Sequence, residues 1–211
     1  MAEENKTAWL ETPAASPPAK LTYEEFLAQT NDGTWAEWVD GEVIDMTVSQ
    51  EHQELGSFLL ALLKHFAEAH QLGRVFYEPF QMKTGPDLPG RAPDVFFVAR
   101  ENLSRIEKNY LNGPADLVVE IISPDSRGRD RGDKFYEYEQ GGVREYWLLD
   151  PIRKQADFYQ LGADGIYRLV PVDNDGDYHS AVLPGLWLKV AWLWQEPLPL
   201  LLSVLKEWRL I

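Results

Sequence analysis

The sequence has no cysteine, so neither a disulfide nor a thiolate metal site can form. It is also poor in positive charge. Twenty lysines and arginines stand against 34 aspartates and glutamates, giving a formal net charge of -14. Affinity for nucleic acid comes largely from cations that neutralise phosphates, so a chain this acidic is excluded as a general coat for DNA. Any DNA contact needs a local basic patch or a bound metal ion. No apolar run has the length of a membrane span, and the N-terminus lacks a signal-peptide pattern. A cytoplasmic location is the expectation.

What the sequence has is enough apolar material for one well-cored domain: 211 residues, 45% of them hydrophobic. Tryptophan occurs eight times against three methionines, so large aromatic surfaces are available for a core or a subunit contact.

Residues 1–20 are polar and rich in alanine and proline, and read as a mobile tail. Thr22 with Glu25 forms a capping-box pattern that predicts a short helix over 21–29. Asp40-Gly41 suits a type I′ turn and predicts a hairpin between 35–39 and 42–48. Ser49 can cap a long helix reaching about His70, because Leu55, Phe58, Leu59, Leu62, Leu63 and Phe66 recur at helical spacing. Strands are expected at 74–83 and 93–99, and a short polar helix near 101–108. A strand over 116–122 precedes a helix over 130–140, and further strands follow at 144–149, 154–161 and 166–172. The order is mixed α/β: a tail at 1–20, a core at 21–160, and a β-rich C-terminal extension at 161–211 packed on the same domain.

Two acids stand in unusual company. Asp94 begins the apolar run DVFFV and Glu120 interrupts LVVEII. A carboxylate inside such a strand is costly unless paired, hydrogen-bonded or metal-bound. One divalent cation held between adjacent strands would explain both, and oxygen ligands favour Mg²⁺ or Mn²⁺. Taken singly, Asp94 reads equally as a solvated strand start, and Glu120 as the partner of an arginine. Lys134 opens the helix after the Glu120 strand and can fold back over it. Its ammonium would then stabilise charge developing on a phosphate, although a lone helix lysine is more often exposed. Arg127, Arg129 and Arg131 form the densest basic patch of the chain, suited to phosphate or simply solvated.

As an ordered series, these stretches resemble the PD-(D/E)xK nuclease superfamily, in particular its Uma-type family of bacterial endonucleases. The matching segments are EWVDGE (37–42), SQEH (49–52), APDV (92–95), VVEIISP (118–124), DRGDK (130–134) and GVREYW (142–147). The resemblance implies a restriction endonuclease-like mixed sheet flanked by helices, with Asp94 and Glu120 as the motif acids. Ile122 stands where the superfamily lysine is expected, and Lys134 matches the family's replacement on the next helix. Glu37, Glu42 and His52 also match family positions. His52 is a candidate metal ligand or a polar residue of the helix N-terminus, and Glu37 and Glu42 flank the hairpin as exposed residues or secondary site candidates. Arg144, Glu145 and Tyr146 fit structure or a subunit contact. The implied activity is metal-dependent DNA endonuclease chemistry in a homodimer. A non-catalytic binding or scaffold protein that keeps the fold is the alternative, favoured by the acidic balance and by Ile122.

Overall fold

The computed structural model describes residues 20–29, 36–45, 49–123 and 129–211. The expected tail, apart from Lys20, therefore lies outside the described residues, as do Trp35 and 46–48 of the expected hairpin. Helix α1 (Tyr23–Gln29) opens with the predicted reciprocal cap: Thr22 N donates to Glu25 Oε2 at 2.8 Å, and Glu25 N donates to Thr22 Oγ1 at 3.1 Å. Strands β1 (Ala36–Val39) and β2 (Glu42–Asp45) follow, joined at Asp40 and Gly41. Both turn residues have positive φ, 50° and 89°, as a type I′ turn requires. Helix α2 (Gln50–Ala69) is capped by Ser49, whose side chain accepts from His52 N, and it buries the predicted apolar stripe.

The expected strand over 74–83 is two strands, β3 (Gly73–Tyr77) and β4 (Gln81–Lys83), which belong to different sheets. The turn-rich stretch after β4 contains a two-residue strand, β5 (Gly90–Arg91). Then come β6 (Val95–Ala99), a 3-10 helix over Arg100–Arg105, β7 (Tyr110–Asn112) and β8 (Leu117–Ile121). The helix expected from Asp130 begins as a π-helical turn (Arg129–Asp133) and continues as α3 (Lys134–Gly141). The remainder comprises β9 (Glu145–Asp150), β10 (Gln155–Leu161), β11 (Tyr167–Leu169), β12 (Asp177–His179), β13 (Trp187–Lys189) and α4 (Leu201–Glu207).

Six strands form the main sheet, in the order β11-β10-β9-β8-β6-β3; β8 and β9 are parallel and the other neighbours antiparallel. A parallel neighbour needs a crossover, and the segment carrying α3 supplies it. That topology sets α3 against the face of the sheet opposite α2. One core joins α2 to Val95, Phe97, Val119 and Trp147, and takes in Leu186, Trp192 and Val204 from the C-terminal part. The other joins Phe96, Val118 and Leu148 to Tyr138 and Val143, together with Met82 and Leu111 of the second sheet, β2-β1-β5-β4-β7. Trp187 packs on Trp192 and Trp208, so these C-terminal tryptophans fill the core side of the fold. Among the described residues, no helix is long and apolar enough to cross a membrane.

Candidate metal centre

The sheet register builds the site. Val95 pairs with Val119 on one side and with Tyr77 on the other. One step further along β6, Asp94 therefore faces Glu120 on its β8 side and Glu78 on its β3 side. The Glu78 N–H donates to the Asp94 carbonyl at 3.3 Å, which continues that pairing. Opposed residues project from the same face of a sheet, so three carboxylates form one row across three strands.

His52 reaches this row from the first turns of α2. Its Nε2 lies 3.1 Å from Asp94 Oδ2, and Ile121 N donates to the same oxygen at 2.5 Å. Its neighbour Gln53 donates to Glu78 Oε1 at 3.3 Å. His52, Glu78 and Asp94 each present one ligand atom within 4.8 Å of the others. Glu120 stands outside that trio, and both its oxygens are engaged: Oε1 accepts from Tyr138 OH at 2.6 Å, and Oε2 from Lys134 Nζ at 3.0 Å. Lys134 and Tyr138 are four residues apart on α3 and so share the face turned to β8.

The second sheet contributes the rest. Glu37 on β1 is 1% exposed, not an exposed hairpin flank; its Oε1 lies 3.1 Å from Lys134 Nζ. Arg91 on β5 is 2% exposed and bonds Glu37 Oε2 at 3.1 Å, while its Nε and Nη2 grip Glu137 of α3 at 2.7 Å each. Asp130 adds a third carboxylate to the ammonium, with Oδ1 3.3 Å from Nζ. Glu42 is exposed on β2.

The electrostatics follow from burial and an excess of acid. Burial pushes Glu78 up from the ordinary 4.5 to about 7, with the Asp94 charge adding to the rise. Glu120 is driven well above the carboxylate range by burial, and Lys134 only partly offsets this. Burial alone would lower His52, but its hydrogen bond to Asp94 and the surrounding acids outweigh burial and raise it. Lys134 is likewise raised well above the lysine range, because Glu120, Glu37 and Asp130 outweigh its desolvation.

These residues fit a divalent cation. The acids are short of compensating charge, the donors are oxygen and imidazole, and His52 Nδ1 is buried without a hydrogen-bond partner among the described residues. His52, Glu78 and Asp94 would hold the ion, with Glu120 beside them in the row.

Of the three arginines read as a phosphate patch, Arg127 and the Arg129 side chain lie outside the described residues. Arg131 Nη1 pairs with Asp157 Oδ2 at 2.9 Å, and its Nε and Nη2 have no partner among the described residues. Glu145 and Arg144 take structural roles. The Glu145 carboxylate accepts from Trp147, Tyr178, Ser180, Ala181 and Val182, and Arg144 pairs with Asp116. The sequence reading missed Glu78, Arg91, Asp130 and Tyr138. Asp130 and Tyr138 carried a usable signal, lying four residues either side of Lys134 on the same predicted helix.

The model of a family described as "Uma2: Putative restriction endonuclease" matches residues 23–191. Among solved structures, the chain is similar to a protein of Anabaena variabilis ATCC 29413 described as a "putative nuclease belonging to DUF820". The two share 19% identity at a TM-score of 0.66, with 82% of this chain and 97% of that chain covered. At this identity the likeness shows the fold, a mixed α/β restriction endonuclease-like arrangement as expected from the sequence. No functionally curated protein matches the chain.

Proposed function

The chain belongs to the Uma2 family, and on that premise we propose that it is a metal-dependent endonuclease hydrolysing phosphodiester bonds of DNA. The observation that carries this reading is the row Glu78–Asp94–Glu120, met by His52 at its central acid and by Lys134 at its Glu120 end. Such acids are expensive to bury together, and a site that binds Mg²⁺ or Mn²⁺ gives them a use.

Asp94, Glu78 and His52 hold the ion in this proposal. When bound, it supplies Lewis acidity to the scissile phosphate and lowers the pKa of the attacking water. Asp94 is fixed in place by His52 and by the Ile121 amide. Tyr138 fixes Glu120, so the row stays rigid while substrate binds. Lys134 places a permanent positive charge beside the row, where negative charge grows on the transferring phosphoryl oxygens. Arg131, partly exposed and paired with Asp157, would have to turn its buried Nε and Nη2 outward to meet a flanking phosphate. With the chain so acidic, DNA binding without metal is expected to be weak. A homodimer in the cytoplasm would set two such sites against the two strands of a duplex.

The test is plasmid nicking with Mg²⁺ or Mn²⁺ by wild type and by the Asp94→Ala, Glu78→Ala and Lys134→Ala variants. Each substitution is expected to reduce the rate at least ~100-fold, as loss of one charge-stabilising group does in other enzymes. Cleavage that survives all three would place the chemistry elsewhere. A wild type that neither cleaves nor binds metal would favour a non-catalytic binding protein of the same fold.

A further inference from the structure

Lys134 is surrounded by acids from three different elements: Glu37 of β1, Glu120 of β8 and Asp130 of the π-helical turn. They lie 3.1, 3.0 and 3.3 Å from Nζ. All three are within 2% of full burial, so water does little to screen them from one another. Their oxygens converge on a single point. At that point sits one positive charge, and Arg91 behind Glu37 is the one further cation bonded to the trio among the described residues. Arg91 is itself shared with Glu137, so these two cations serve four carboxyl groups.

Asp130 supplies an independent observation. It is 1% exposed and its Oδ1 is turned to the ammonium, yet that oxygen has no hydrogen-bond partner among the described residues. The ammonium satisfies Glu120 with a well-directed bond and leaves Asp130 with charge contact alone. Three convergent carboxyl groups, one of them with an oxygen lacking a hydrogen bond among the described residues, suit a hard divalent ion better than a lysine.

We propose that Glu37, Glu120 and Asp130 form a latent divalent-cation site, which the Lys134 ammonium fills in place of a second ion. The word "second" rests on reading His52, Glu78 and Asp94 as the site of the first. Paired ions commonly share a carboxylate region in phosphodiester chemistry. Here Glu120 lies between the two positions, next to Asp94 in the row and bonded to Lys134. Mg²⁺ and Mn²⁺ bind oxygen at roughly 2.1 Å, so each acid must close by about 1 Å or bind through water. Asp130, on its turn and with one oxygen unengaged, is the group best placed to make that movement.

The experiment counts Mn²⁺ ions per chain by calorimetry and electron paramagnetic resonance, with the metal alone as probe. Wild type is expected to bind one ion, Lys134→Ala two, and Lys134→Ala combined with Asp130→Ala one again. A folded Lys134→Ala that binds no more ions than wild type overturns the proposal. Should Lys134→Ala be unfolded without metal, Mn²⁺ is titrated while far-ultraviolet circular dichroism is followed. Recovery of the helical signal, absent in the double variant, supports the latent site, and no recovery overturns it. A wild type binding none beside a Lys134→Ala binding one would support this site while removing the His52, Glu78 and Asp94 reading.

Discussion

Glu37 and Glu120 come from different sheets yet meet on one ammonium, 3.1 and 3.0 Å from Lys134 Nζ. Arg91 holds the far oxygen of Glu37 and, with its other nitrogens, Glu137 of α3. Arg91→Met should therefore cost about 3–5 kcal/mol of stability, because it strips a buried cation from two acids. Urea denaturation measures this. Adding Glu137→Gln should recover part of the loss, and strict additivity of the two changes would contradict the shared clamp.

Tyr138→Phe removes one hydroxyl, the donor to Glu120 Oε1 at 2.6 Å. Leaving a buried acceptor unsatisfied costs roughly 1–3 kcal/mol, so a destabilisation of that size is expected with the ring packing retained. Near-ultraviolet circular dichroism should stay close to wild type. Nicking should slow even at temperatures where the variant is fully folded, because Glu120 loses its anchor.

Glu78 makes stability depend on pH. Its carboxyl titrates at about 7 in the folded chain against an ordinary 4.5, so between those values the folded state binds more protons than the unfolded one. Stability from this group is present in full below about 4.5 and is lost as pH rises through about 7. Glu120 and Glu145, also raised, act with the same sign. Without metal, Glu78→Gln should gain on wild type in urea midpoint between pH 5 and pH 8. A constant difference over that range would show that Glu78 titrates as an ordinary carboxylate.

Glu145 accepts five hydrogen bonds, four of them from the segment 178–182. Glu145→Ala leaves buried donors without an acceptor, each costing ~1–3 kcal/mol. Hydrogen exchange should show the amides of Ala181 and Val182 losing protection ahead of those in β8. Equal loss throughout would mean that the C-terminal part and the sheet unfold as one unit.

Mn²⁺ should raise the melting temperature of wild type, since an ion bound only by the folded state at 100 times its Kd adds about 2.7 kcal/mol. Asp94→Asn should abolish that rise, because Asp94 sits at the centre of the row with His52 on it.

Local chemistry made much of the fold legible. The Thr22/Glu25 cap, the Asp40-Gly41 turn, the Ser49 cap and the stripe of α2 are short-range patterns, and each stands as the sequence implied. The two strand acids were conspicuous because an apolar run gives a carboxylate no solvent. Glu78 was not, since EPF reads as part of one continuous strand when it is the break between two sheets. Arg91 was hidden, and the burial of Glu37, a secondary candidate from the sequence, went unseen for a related reason. A hairpin flank and a turn-rich stretch look solvated until the second sheet closes over α3, and that long-range packing leaves no periodic mark in the sequence.

The row of acids has a further consequence, for how such a sequence can change over time. Its spacing is set by strand pairing, and in a strand the side chains alternate between faces. A single inserted or deleted residue in β3, β6 or β8 would rotate one carboxylate to the α2 side of the sheet and leave an apolar residue in its place. These strands can accept substitutions at most of their apolar positions, but hardly any change in length. Descendants of this chain should therefore gain and lose residues in the turns between strands, while the count of residues from each turn to its acid stays fixed.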